Sequence, residues 1–143
     1  MTTEVKKRNV LYAQSGGVTA VINASACGVI ETARKHKDTF GKIFAGENGI
    51  LGVLNERLID TSVESADVIA SLRHTPAGAF GSCRFKMGSP MQKPALYQRL
   101  LEVFKAHNIG YFFYNGGGDS QDTTNQLAKY CDQNNFPLTC IGI

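Results

Sequence analysis

Apolar residues alternate along this chain between short continuous runs and stripes at helical spacing. Residues 9–13 form an apolar run that ends at Ser15-Gly16-Gly17, and over 19–33 Ile22, Ala26, Val29, Ile30 and Ala33 recur at helical spacing. This predicts a strand, a tight glycine turn and a helix. A second run, 42–45, is rich in β-formers, after which Gly46, Gly49 and Gly52 mark a loop that should not be helical. A small strand at 58–60 and a helical patch at 64–72 follow. The stretch 74–94 then carries Pro76, Gly78, Gly81, Gly88 and Pro90 and is too long for a mere connector. Loops of such length in compact domains are usually functional or disordered.

Regularity returns at Pro94, well placed in a first helical turn, with Leu96, Leu100, Leu101 and Phe104 forming an apolar stripe to about His107, closed by Gly110. The nearly all-aromatic run 111–114 reads as a buried central strand. It ends in Asn115-Gly116-Gly117-Gly118-Asp119-Ser120 and leads into a helix with Leu127, Tyr130 and Cys131 on one face. Residues 137–143 read as one more buried strand. Strands alternating with helices imply an α/β fold, a doubly wound, mostly parallel sheet with right-handed crossovers and helices on both faces. Such a domain places ligand groups just past the C-terminal ends of its strands. No repeat or linker marks a second domain, and the chain is expected to be most of one sheet layer, truncated.

A chain of 143 residues that is 43% apolar is long enough to bury one core. Lys and Arg exceed Asp and Glu by 15 to 12, but they are scattered, which argues against nucleic acid while suiting small anions such as phosphates. Gln14, Ser15, Asn23 and Ser25 interrupt the first apolar stretch, so it is no membrane span. Glu4 among Lys6, Lys7 and Arg8 does not read as a secretory leader, and a cytoplasmic location is expected. Cys27, Cys83, Cys131 and Cys140 show no C-x-x-C spacing, which points to free thiols rather than zinc or disulfides. His36 and His107, near predicted helix C-termini, and His74, before the long loop, read as structural.

A backbone that wraps an anion needs residues without Cβ, so that successive N–H groups converge on oxygens at the positive end of a helix. Ser15-Gly16-Gly17 meets that need, though it matches neither the Walker nor the dinucleotide pattern and simple tight-turn geometry explains it equally. At the second turn Asp119 or Ser120 would serve as an N-cap, but three glycines also free the backbone for close approach, and Asp119 adds a carboxylate where a phosphate-bound metal would sit. In the long loop, Arg84 and Lys86 are either solvated surface charges or, beside small residues, phosphate ligands.

The ordered set S-G-G at 15–17, G-x-x-G at 49–52, F-G-S-C-R-F at 80–85 and N-G-G-G-D-S at 115–120 resembles the phosphofructokinase family across nearly the whole chain. It is most similar to the pyrophosphate-dependent branch, through Y-A-Q-S-G-G-V-T-A-V-I-N-A-S, R-H-T-P-x-G-A-F-G-S-C-R and Y-F-F-Y-N-G-G-G-D-S. The resemblance implies the N-terminal portion of a phosphoryl-donor binding domain over 1–143. The implied activity is reversible transfer from pyrophosphate to the 1-hydroxyl of fructose 6-phosphate, with Mg²⁺, in a homo-oligomer (dimer or tetramer).

It further implies that Gly16, Gly17, Arg84, Gly117, Gly118 and Ser120 contact the diphosphate. In ATP-using relatives the second turn reads G-G-D-G-S, with an Asp for magnesium and a small Gly beside the α-phosphate. Here Gly118 stands at the metal position and Asp119 at the small-Gly position, so Asp119 is expected to exclude ATP, and the ion to be held by Asp119, by Asp122 or largely by the pyrophosphate and water. Val18 replaces an Asp of the ATP users and points the same way. A family P-K-T-[IV]-D-N-D loop, with the general base and a phosphoryl-steadying Lys, is not within these residues, and the 143-residue chain by itself is expected to be inactive. An ATP-dependent relative, a non-catalytic phosphate-binding module and a flavodoxin-like binding domain are the alternatives.

Overall fold

The computed structural model describes residues 6–143, so the leader reading, which draws on Glu4, lies partly outside the described residues. Ten main elements follow one another: β1 (Arg8–Gln14), α1 (Ile22–Lys35), β2 (Phe40–Gly46), α2 (Ile50–Leu54), β3 (Leu58–Asp60), α3 (Ala66–Ser71), α4 (Pro94–Ala106), β4 (Ile109–Asn115), α5 (Gly118–Gln133) and β5 (Thr139–Gly142). The strands form one sheet in the order β3-β2-β1-β4-β5. All pairings are parallel except β2 with β3, which the short turn after α2 makes antiparallel.

Side chains of a strand alternate between faces, and β1 is apolar on both. Leu11 and Ala13, with Phe112 and Tyr114 of β4, pack under α2, α4 and α5, where Val53, Leu100, Phe104 and Leu127 are fully buried. Val10 and Tyr12 face the other way onto Ala26, Cys27 and Ile30 of α1, with Ile69 of α3. Helices therefore cover both faces, as a doubly wound sheet requires. The chain leaves β1 toward β2 on one side and reaches β4 on the other, so the strand order reverses between β1 and β4. In open α/β sheets ligands bind at that crevice, past the strand ends.

Four local expectations are corrected. Residues 50–54 are helical despite Gly52, because Ile50, Val53 and Leu54 gain burial and Gly52 itself lies against the Glu47 carbonyl, where a Cβ has no room. Gly110 does not close α4; His107 is the C-cap and Asn108 turns the chain at φ 52°, leaving Gly110 inside β4 beside the Arg8 side chain. The strand expected to be buried over 137–143 is β5, which among the described residues pairs with β4 alone, and Ile141 is 44% exposed here. The helix expected over 19–33 starts at Ile22 and ends at Lys35 with His36 as its cap.

Residues 75–93 form no helix or strand, yet both ends are anchored. Asn23, almost fully buried on α1, donates to the carbonyls of Thr75 (2.8 Å) and Ala77 (2.6 Å) and accepts from the Ala79 amide (2.8 Å). At the far end Met87 is buried in the main core, and the Tyr97 hydroxyl donates to the Gly88 carbonyl at 2.5 Å.

Candidate active site: a cleft between two glycine turns

The C-terminal ends of β1 and β4 run in register, with Gln14 opposite Asn115. The two glycine turns therefore emerge side by side, and the Ser15 amide donates to the Asn115 carbonyl at 2.8 Å. The first turn needs a left-handed residue, which Gly16 supplies at φ 75°. Its N–H then donates to the Cys83 carbonyl at 3.0 Å, while Ser82 Oγ donates to the Gly16 carbonyl at 2.8 Å. These two bonds lay the long loop along the first turn and bring Arg84 over Gly17.

The second turn passes straight into α5. Gly117 is the N-cap residue, and no side chain caps this helix, so Asp119 and Ser120 are first-turn residues and not caps. The orphan N–H groups of such a helix start are free for an anion. Gly117 and Gly118 face open space, whereas Gly116 is packed tightly against Ser15 and Ser120. The hydroxyls of Ser15 and Ser120 are hydrogen-bonded to each other beneath that turn. Tyr114, buried beside them, has its phenol pushed up by burial.

Together these segments enclose a cleft of about 600 Å³. Gly16, Gly17, Arg84, Gly117, Gly118, Asp119 and Ser120 all line it, as do Lys86 and the start of α1. Arg84 and Lys86 are exposed and make no ion pair among the described residues, which leaves both cations available to an anion. Asp119, in the first turn of α5, is likewise exposed and lines the same cleft. Ser120 is nearly buried, with its hydroxyl committed to Ser15.

Asp122, one of the carboxylates considered for a metal, does not line the cleft; its charge, after burial, adds to the upward push on the Tyr97 phenol. Gly118 offers no ligand atom in its side chain. Among the described residues no cluster of three His, Cys, Asp or Glu could hold a metal ion. A single carboxylate, Asp119, fits Mg²⁺ held mainly by phosphate oxygens and water, the usual mode for this ion, and does not fit a protein-built cage.

The sequence profile of the family described as Phosphofructokinase matches residues 9–143. The chain belongs to the phosphofructokinase family. It is 60% identical over 136 residues to a pyrophosphate–fructose 6-phosphate 1-phosphotransferase of Methylococcus capsulatus, an alignment that covers 95% of this chain and 32% of that protein. Among solved structures it is similar to a pyrophosphate-dependent phosphofructokinase from Marinobacter aquaeolei (TM-score 0.87, 64% identity, 94% of this chain and 32% of that one). A second, from Nitrosospira multiformis, aligns with a TM-score of 0.89 at 57% identity, over 95% of this chain and 33% of that one. The chain thus spans about a third of the length of the relatives it matches.

Several site residues carried no signal as isolated letters. Gln14 and Asn23 read as polar interruptions of an apolar stretch, yet both are buried and bonded to the long loop. Asn48, exposed in a turn at φ 57°, donates its backbone N–H to the Phe80 carbonyl (2.8 Å) and is marked by no side-chain signal. A polar residue inside an otherwise apolar, buried element is the available signal, because burial demands a partner.

Proposed function

We propose that this chain is the N-terminal portion of the donor-binding domain of a pyrophosphate-dependent 6-phosphofructokinase. That enzyme transfers a phosphoryl group reversibly from pyrophosphate to the 1-hydroxyl of fructose 6-phosphate. The observation that carries the reading is the position of Asp119, an exposed carboxylate in the first turn of α5 that lines the cleft shared by both glycine turns. The names of the relatives support the same donor and sugar.

In this reading the backbone of Gly16, Gly17, Gly117 and Gly118 approaches the diphosphate closely, and the Arg84 guanidinium takes phosphate oxygens in bidentate fashion. Ser120 supports the second turn from below through Ser15. Asp119 repels the additional phosphate of a nucleotide. Two like charges about 4 Å apart repel by ~4 kcal/mol at an effective dielectric near 20; exposure to water weakens this, leaving roughly one to two decades of discrimination. Asp119 would also hold Mg²⁺, which when bound neutralises charge developing on the transferring phosphoryl. Acting alone, the 143-residue segment binds donor without completing transfer. The whole protein is proposed to be a cytoplasmic homo-oligomer.

The test is a donor assay on the full-length protein, following fructose 1,6-bisphosphate with Mg²⁺ and either pyrophosphate or ATP, beside Asp119→Gly. Activity with pyrophosphate alone, and ATP use raised about tenfold or more in the variant, is expected. ATP as the better donor for the wild type would sink the specificity reading, and no product with either donor would favour a binding module.

A further inference from the structure

We propose that Gln14 is a positioning residue for the donor site, whose buried amide fixes the long loop so that Arg84 faces the first glycine turn. This rests on the pyrophosphate-donor reading above. Gln14 is the last residue of β1, fully buried, and directly precedes Ser15. Its Nε2 donates to the Gly81 carbonyl at 3.0 Å, and its Oε1 accepts from the Tyr12 hydroxyl at 2.9 Å. That hydroxyl accepts in turn from Asn115 Nδ2 at 3.1 Å. Each group donates to the next, so one polar run of single direction joins Asn115 at the end of β4, Gln14 at the end of β1, and the loop three residues before Arg84.

The fit is close as well as polar. A Cβ on Gly78 would stand 2.9 Å from Gln14 Nε2, so the loop is folded directly over the amide. Between Gly81 and Arg84, Ser82 and Cys83 are bonded to Gly16. With no ion pair to Arg84 among the described residues, the loop backbone sets where its guanidinium points. An apolar side chain of similar size at position 14 would keep the volume but leave the Gly81 carbonyl and the Tyr12 hydroxyl without this partner, so the loss falls on the amide's hydrogen bonds and not on packing. Burial pushes the Tyr12 phenol up to about 12, so it remains a donor throughout the neutral range.

The experiment compares Gln14→Met, Tyr12→Phe, Arg84→Met and the two double variants with Arg84→Met in the full-length protein. KM for pyrophosphate, KM for fructose 6-phosphate, kcat and melting temperature are measured for each. Gln14→Met is expected to raise KM for pyrophosphate about tenfold while leaving KM for the sugar within about twofold, and to lose most of that effect once Arg84 is Met. Tyr12→Phe keeps the amide and removes one partner, so it moves the same constant by a smaller factor and carries the test if Gln14→Met does not fold. Additive effects in the double variants, or equal rises in both KM values, would overturn the proposal while leaving the donor reading intact. A wild type that does not use pyrophosphate overturns both.

Discussion

The Arg84 guanidinium rests against Gly17, so closely that a Cβ on residue 17 would stand 3.0 Å from Nη2. The long loop and the first turn thus meet at a cation and a bare backbone. The crowded atom is the end of a flexible side chain, so Gly17→Ala should displace the guanidinium and leave the fold intact. KM for pyrophosphate is expected to rise about three- to tenfold with a melting temperature nearly unchanged. Steady-state kinetics beside calorimetry checks this, and an unchanged KM would mean that Arg84 does not grip the donor.

Gly116 and Gly118 separate structure from function within one turn. At Gly116 a Cβ would run into Ser15 Oγ and Ser120 Oγ, so Gly116→Ala should destabilise the protein by about 1–3 kcal/mol through overpacking. At Gly118 a Cβ meets nothing, and in the first turn of α5 alanine should be neutral or stabilising by up to about 1 kcal/mol. Gly118→Ala should nevertheless weaken pyrophosphate binding, because its methyl group fronts the cleft. Urea unfolding with donor kinetics reads both effects; Gly118→Ala with unimpaired donor binding would remove the second turn from the cradle.

Burial pushes the phenols of Tyr12 and Tyr97 from 10.0 up to about 12. A folded-state pKa raised above the unfolded one contributes stability that is present in full below about pH 10 and lost as the pH rises toward about 12. Each tyrosine then removes on the order of 2 kcal/mol across that window. Urea midpoints should therefore fall steeply between about pH 10 and about pH 12, with phenolate absorbance appearing together with unfolding. Tyr12→Phe should flatten part of that fall; an unchanged slope would mean that Tyr12 ionises without cost.

Much of the framework was legible because it depends on local pattern. The apolar run before Ser15-Gly16-Gly17 and the helical stripe after it predicted β1 and α1, and Leu96, Leu100, Leu101 and Phe104 predicted α4 almost to its ends. Where a local rule met a tertiary demand, the demand won. Gly52 sits in a helix because burying Ile50, Val53 and Leu54 outweighs the cost of glycine there. The apolar character of 137–143 predicted a strand but not its burial, because strand sequence encodes pairing tendency and not how many neighbours a strand has.

By itself the amino-acid order determined the alternation of strands and helices, the two glycine turns, and a loop whose composition set it apart from a connector, since turn chemistry and periodicity act over a few residues. Only the tertiary structure decided that those three segments form one cleft, that Asp119 borders it and Asp122 does not, and that Gln14 and Asn23 hold the loop bearing Arg84. The reason is that the register of β1 against β4 and the partners of buried amides join residues some 50 to 100 positions apart, and no local pattern specifies such pairs.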